Sequence, residues 1–573
     1  MKFGIEIAPF GNLASIPGGA ESTGELGGIE ALDIAIIIAY LLAVVGIGLY
    51  AGKLMKKKSS AGESRDYFLA GGTLKWPMIG LALFATNISC VHLVSLAQAG
   101  FDNGLLKGNF EWMAAFTLVL LSLFFAPFYI KSKVATLPDF LEQRYNRPCR
   151  DMLAVFSLVS AVVIHIGFSF LTGGIVLRDL FGVDIYVAIV AIAALTALYT
   201  IVGGLLAVVL TEAIQTIVLV IGASVITWIA YDKMGGWDAM VASLEATGDT
   251  EKLSMLRPHG DPSGMPWYAI LLGYPVLGIW YWCADQTIVQ RVLGAKDENH
   301  ARVGPLFAGL IKIIPVFIFV LPGLLAYTLA STGKLDVSTI TNAEGVVESK
   351  NIYTVMITQL LPVGLKGLII AALLAALMST VSGALNSIST LSAFDLYKRL
   401  KPDTSDHKLV IVGRLAAGIA VILSIALVPL LMKERSIFDA LNEIISHLAP
   451  PVTCVFLLGV FWKKANSVSA QWTLVIGALA GIAVYALNKF GVETPLKNIP
   501  FMMMAFYLFV FCCFVQITIA LVSKQPVPNS SAQLCWESPL APLRAKGWPG
   551  VLNYKFLAAA LLAVMVVLYG IFR

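Results

Sequence analysis

The chemistry in this chain starts at a stretch that ought not to be polar. Ala85-Thr86-Asn87-Ile88-Ser89-Cys90 lies in the middle of an apolar segment running from Trp76 to Ala99, long enough to cross a bilayer. A helix that breaks at that depth must line a cavity or pack against protein, because lipid offers no partner to exposed backbone groups. Freed carbonyls at such a break can coordinate a cation, and the freed half-helix N-terminus can face a polar substrate group. The same small residues also suit close helix packing, so both readings stand on this stretch alone. A second apolar segment carries Ala376-Leu377-Met378-Ser379-Thr380. Two adjacent hydroxyls and the carbonyl of Ala376 offer neutral hard oxygens, which suit a weakly held monovalent cation; a divalent ion wants carboxylates. Against this, Ser and Thr in membrane helices often only bond the i−4 carbonyl.

Charged residues inside apolar segments cost about 2.5–3.5 kcal/mol each, so each needs a reason. Glu111, Glu212, Asp285 and Lys312 are such residues, with His92 and His165 beside them. For Asp285 the plainer reading is a local ion pair with Arg291. Glu111 and Lys312 share their segments with aromatic and small polar residues, the mixture that binds polyols: charges and amides for hydroxyls, ring faces for the apolar side of a sugar.

The elements that must hold these residues are membrane helices. Of 573 residues 58% are hydrophobic and only 13% charged, and mean hydropathy is +0.82; soluble domains carry about 25% charged residues. The net charge of +5 implies no nucleic-acid partner, because the basic residues sit in short loops. Seven cysteines, several of them inside spans, form no disulfide framework. About fourteen apolar windows follow one another: 32–52, 76–99, 110–130, 152–177, 184–203, 206–231, 267–290, 304–328, 360–394, 409–432, 440–461, 470–488, 501–523 and 554–572. Lys and Arg gather after the first, third, seventh, ninth and eleventh, which puts those loops in the cytoplasm and both termini outside. Residues 1–30 read as a short outer tail and not a signal peptide. The loops 232–266 and 331–359 suit lids or short surface helices, and 524–550, with Pro526, Pro528, Pro539 and Pro542, suits an irregular cytoplasmic linker. The second and seventh windows both have interrupted, Gly- and polar-containing centres. Their separation by five spans suggests two inverted five-helix repeats, 76–231 and 267–462, with the two broken helices forming the site. The first span (31–60) precedes them and the peripheral spans of 463–573 follow.

From Asp66 to Lys464 the chain resembles the sodium/glucose cotransporter branch of the solute:sodium symporters. The matching stretches include Asp66-Tyr67-Phe68-Leu69-Ala70-Gly71-Gly72, Ala85 to Ser89, Glu111-Trp112, Pro138 to Tyr145, Tyr199 to Leu205, Trp280 to Gln286, Asn386-Ser387 and Asp395-Leu396-Tyr397. The resemblance implies an all-α integral membrane protein with a LeuT-type 5+5 inverted-repeat core, one extra span before it and three after. It implies a sodium site at the carbonyls of Ala85, Ile88 and Ala376 and the hydroxyls of Ser379 and Thr380, with Glu212 at a position tied to a second cation. It implies a sugar site at Asn87, His92, Glu111, His165, Tyr281, Trp282, Lys312 and Asn442, with Tyr281 as an inner gate stacked on the ring. Two residues depart from the pattern. Asn442 stands where relatives have Gln, and Gly278 where they have a hydroxyl or amide, which together leave more room and fewer donors.

The expected function is therefore sodium-coupled import of a sugar across the plasma or inner membrane by alternating access. The expected partners are sodium, a sugar or polyol and the bilayer, with no nucleic acid and no obligatory protein partner. Import of myo-inositol or another small solute, a carboxylate among them, is the nearest alternative; a sugar-gated sensor that binds without accumulating is another. No nucleotide loop, metal cluster or nucleophile–base pair points to an enzyme.

Overall fold

The computed structural model describes residues 29–58, 63–261, 263–432, 437–497 and 499–573; the expected outer tail falls outside them except for its last two residues. Among the described residues the structure is helical, with β pairing confined to isolated bridges. Twelve helices among the described residues are long and apolar enough to cross a membrane, against about fourteen windows in the sequence. Two account for the difference. Residues 92–132 form one 41-residue run and residues 185–234 one 50-residue run, each covering parts of two windows. Gly104 (φ 68°, ψ −144°) and Gly204 (φ 59°, ψ −161°) turn the chain inside these runs. Both dihedral pairs lie where only glycine sits without strain.

Helix α1 (Ala31–Lys58) packs against the helical runs 185–234 and 365–400. The second window is two helices, α2 (Trp76–Asn87) and α3 (Cys90–Asn103), and α4 (Asn109–Leu120) opens the third. Then come α5 (Arg147–Phe181), α6 (Ile185–Met234) and α7 (Trp267–Ala284). Short α8 (Gln286–Leu293) follows α7 after a break. The series ends with α9 (Glu298–Ser331), α10 (Leu365–Leu400), α11 (Asp406–Leu431), α12 (Ile437–Phe461), α13 (Ser467–Lys489), α14 (Phe501–Ser523) and α15 (Tyr554–Ile571). Helix α10 is buried along nearly its whole length between α6, α1, α11, α2 and α8. Helices α13 and α14 pack on α12, and α15 on α9, so they form the periphery.

Both expected interruptions are present. Between α2 and α3, Ile88 (ψ 100°) and Ser89 (ψ 172°) are extended. Between α7 and α8, a π-turn at Trp280–Ala284 runs into extended Asp285, whose carboxylate caps α8 by accepting from the Ile288 N–H at 3.2 Å. Two backbone bonds, Leu74 N–H to the Gly294 carbonyl (3.0 Å) and Lys296 N–H to the Leu74 carbonyl (2.9 Å), tie the start of α2 to the end of α8. The two half-helices are thus joined at one end and open toward each other at the break. The loop 232–266 carries a helix, Trp237–Thr247, and 331–359 leads into another, Ile352–Leu360, as the sequence suggests.

Candidate functional site

The break in α2/α3 is held open by its own side chains. In an unbroken helix the Ser89 N–H would bond the Ala85 carbonyl; here it donates to His92 Nδ1 at 3.2 Å. That bond puts the proton of neutral His92 on Nε2, which lies 3.9 Å from Glu111 Oε1. The freed carbonyls at the C-terminal, partially negative end of α2 turn toward α10. Ser379 Oγ is 2.9 Å from the carbonyls of both Ala85 and Ala376, and Thr380 Oγ1 is 3.2 Å from the carbonyl of Thr86. The two hydroxyls therefore reach across to the broken helix, Ser379 also bonding the i−3 carbonyl of Ala376 within α10. Four of the five expected oxygens belong to these contacts; the fifth residue, Ile88, lies three beyond Ala85, its N–H bonded to the Phe84 carbonyl at 2.9 Å. The Thr86 carbonyl is an addition that counting one carbonyl further along the last turn of α2 would have found. All these oxygens are neutral, the donor chemistry that fits a monovalent cation. Binding one requires only that the hydroxyl protons rotate away.

Beside this seat is a cavity of about 110 Å³, lined by Asn87, His92, Glu111, His165, Tyr281, Trp282, Asn442 and Thr380 together with apolar residues such as Ile164, Leu277, Leu441 and Ile445. Lys312 lies behind the wall and is 1% exposed. Its ammonium donates to Glu111 Oε2 and Asn87 Oδ1 and sits 5.6 Å from the Trp282 ring centroid. Asn87 Nδ2 donates to the Tyr281 hydroxyl at 3.2 Å. One network thus joins α7, the end of α2, α9 and α4, and Asn87 is its centre. The helices yield locally to build it. Lys312 ends a regular turn before a π-segment at Val316–Val320, and His165 lies inside another at Ala161–Gly167. The His165 ring is 5.9 Å from that of Tyr281, and its Nε2 is 3.4 Å from Asp285. Asn442 Nδ2 donates to the Phe438 carbonyl at 2.8 Å in its own helix. An aromatic wall that sequence reasoning missed covers the other end: Phe110, Tyr274 and Phe438, with Phe110 and Phe438 edge-to-face at 4.8 Å. Phe110 adjoins Glu111 and Phe438 is one turn before Asn442, the signal that was available.

Two expectations are corrected. Arg291 does not pair with Asp285. It pairs with Glu212, Nη2 to Oε1 at 2.6 Å, while Asp285 faces His165. Glu212 and Arg291 are both fully buried, and Thr86 Oγ1 also bonds Glu212 at 2.8 Å. Arg291→Met is expected to cost about 3–5 kcal/mol by leaving that carboxylate uncompensated, with most of the loss regained in the double variant with Glu212→Met. Thermal unfolding of both proteins in detergent checks this. Nor does Gly278 leave room in the cavity. A Cβ there would meet the Tyr274 ring at 2.7 Å and Thr117 at 2.8 Å. Gly278→Ser is therefore expected to destabilise by about 1–3 kcal/mol, read as a lowered unfolding midpoint.

A helical membrane protein with two broken helices flanking a neutral-oxygen seat and a buried cavity of mixed polar and aromatic lining has the architecture of a LeuT-type transporter. The chain belongs to the sodium:solute symporter family, whose model matches residues 67–477. It is 34% identical over 542 residues to sodium/glucose cotransporter 1 of Ovis aries, covering 88% of this chain and 81% of that one. It is 35% identical over 494 residues to the sodium/glucose cotransporter of Vibrio parahaemolyticus, covering 84% and 89%. Among solved structures it is similar to a Na+-coupled sialic acid symporter in a substrate-bound outward-open state, with TM-score 0.73 and 25% identity, covering 86% of this chain and 98% of that one.

Proposed function

We propose that this protein is a sodium-coupled secondary active symporter that imports a sugar by alternating access; it is a transporter and not an enzyme. The observation that carries this reading is Asn87. It lies two residues beyond the Ala85 carbonyl and bonds both Tyr281 and Lys312 in the cavity wall. A sodium ion held by the carbonyls of Ala85, Ile88 and Ala376 and the hydroxyls of Ser379 and Thr380 fixes the end of α2. Fixing α2 fixes the Asn87 amide, and with it the cavity that receives the sugar. Glu111, His92, His165, Asn87 and Asn442 supply donors and acceptors to hydroxyls, Lys312 holds Glu111 and Asn87 in place from behind the wall, and Tyr281 and Trp282 supply ring faces. Glu212 is neutralised by Arg291, and a second cation there would have to displace the guanidinium, so the proposed cycle carries one sodium.

The cycle runs in a plasma or inner membrane, with residues 76–231 and 267–462 as the two inverted repeats and both termini outside. The joined ends of α2 and α8 face the cytoplasm, and the Phe110–Phe438 wall faces out. One sodium ion crossing about 100 mV gains roughly 2.3 kcal/mol, and a tenfold gradient adds about 1.4 kcal/mol. Together these sustain a sugar excess of a few hundredfold. A cyclitol is the second reading, favoured by Asn442, whose side chain is one methylene shorter than the Gln of sugar-transporting relatives and whose amide donor is spent on Phe438.

Uptake into proteoliposomes of labelled D-glucose, D-galactose, myo-inositol and sialic acid, with and without an inward sodium gradient, tests this. Sodium-dependent accumulation of one polyol is expected and names the substrate. Binding without accumulation would make the protein a sensor and overturn the proposal.

A further inference from the structure

The stretch Asn386-Ser387 belongs to neither the ion seat nor the cavity, yet it is built of polar groups in the most buried helix of the protein. At about 100° per residue, Ser379, Gly383, Asn386 and Thr390 lie within a narrow arc of α10, Asn386 about 20° from Ser379 and about two turns beyond it. The arc faces α2, α6 and α8. A Cβ on Gly383 would meet Arg291 Nη2 at 2.5 Å and Thr86 Cγ2 at 3.0 Å. Thr390 Oγ1 accepts from Gln290 Nε2 at 2.5 Å and donates to the Asn386 carbonyl at 2.8 Å. Gln290 also donates to the Phe68 carbonyl at 3.0 Å.

Along this arc the hydrogen-bond accounting fails. Asn386 is 2% exposed and Ser387 fully buried. Both amide atoms of Asn386, the Ser387 hydroxyl and Gln290 Oε1 have no partner among the described residues. A buried amide without partners costs a few kcal/mol, and such groups persist where water or an ion meets them. These are neutral oxygens for the most part, the same donor chemistry as the seat two turns away. Apolar residues would pack α10 better at no such cost.

We propose that the arc from Ser379 through Gly383 and Asn386 to Thr390 is the wetted route by which the cation leaves its seat toward the C-terminal end of α10, with Asn386 as the relay. This rests on the symport reading for the identity of the ion. In the state described here, the Gln290–Thr390 bond and the Arg291–Glu212 pair close the route. The departing ion exchanges the oxygens of Ala85 and Ser379 for Asn386 Oδ1 and water, and never meets an apolar wall.

Two measurements on the full chain in proteoliposomes test this. In the first, Asn386→Cys is exposed to a membrane-impermeant cationic methanethiosulfonate, beside wild type and Leu385→Cys, whose side chain is turned about 100° away. Labelling of Asn386→Cys at least tenfold faster than either control is expected; labelling as slow as the controls overturns the route. In the second, Asn386→Leu is expected to lower the maximal rate of sodium-driven D-glucose uptake at least tenfold, with half-saturating sodium within twofold of wild type. Asn386→Ser is expected to keep most of the rate. An unchanged rate in Asn386→Leu overturns the proposal, as does a shift in half-saturating sodium at unchanged rate, which would make Asn386 part of the seat. If Asn386→Leu does not fold, the labelling and the Asn386→Ser rate decide. If wild type accumulates no sugar, the symport reading falls and labelling alone decides the route.

Discussion

The double variant Ser379→Ala/Thr380→Ala is expected to lose sodium-dependent uptake by at least about a hundredfold while remaining folded. The asymmetry follows from what the two hydroxyls do in each state. In the structure each makes bonds to neutral backbone carbonyls, 2.9 Å to Ala85 and Ala376 and 3.2 Å to Thr86. Such bonds contribute about 1 kcal/mol net, too little to unfold a protein whose α10 is packed on every side. Toward a bound cation the same oxygens act as charge-assisted ligands worth about 1.5–3 kcal/mol each. Losing both removes about 3–6 kcal/mol from ion binding, and each 1.4 kcal/mol is tenfold. Uptake against sodium concentration, beside an unfolding curve for the same preparation, checks both halves. Unchanged uptake would remove the sodium seat from these residues.

The second large effect is expected at Lys312. Lys312→Met leaves the Glu111 carboxylate, 1% exposed, with only His92 Nε2 at 3.9 Å to answer its charge. Breaking a buried pair from one side costs about 3–5 kcal/mol, so the single variant is expected to unfold well below wild type. Changing the partner as well, Glu111→Leu with Lys312→Met, is expected to recover most of the stability, because no isolated charge remains. It is not expected to recover uptake, since Asn87 then loses the ammonium that fixes its Oδ1 and the cavity loses the Glu111 carboxylate. Stability that returns in the double variant while uptake stays absent separates a site role from a folding role. Uptake that returns with stability would mean that the pair serves the fold alone.

The helix break beside the candidate site was legible where physics acts locally. Thr86-Asn87-Ile88-Ser89 in mid-membrane predicts a break because small polar residues neither fill nor dry a lipid-facing helix, and the break is at Ile88 and Ser89. Glu111 and Lys312 each stood out as charges out of place, but their pairing spans 201 residues and no local pattern encodes it. The Asp285–Arg291 expectation failed for a geometric reason. Residues six apart on a helix point to different sides, and Asp285 is outside the helix altogether, capping it. Arg291 is thereby turned to Glu212. At Gly278 the sequence shows a missing side chain; it does not show that Tyr274, one turn earlier, lays its ring over the gap. Window counting separated helices at Gly104 and Gly204, and both glycines have non-helical dihedrals there, so each long run is helices meeting at a turn.

The central claim is that ion and sugar are bound as one event, through Asn87. Paired fluxes of radioactive sodium and labelled D-glucose in the same proteoliposomes test it most directly. Sodium entry that rises on adding sugar, and sugar entry that vanishes when potassium replaces sodium, in a fixed molar ratio, is the expected result. Sugar entry at equal rates in sodium and potassium would contradict it, because the seat at Ala85 and Ser379 would then have no hold on the cavity two residues away.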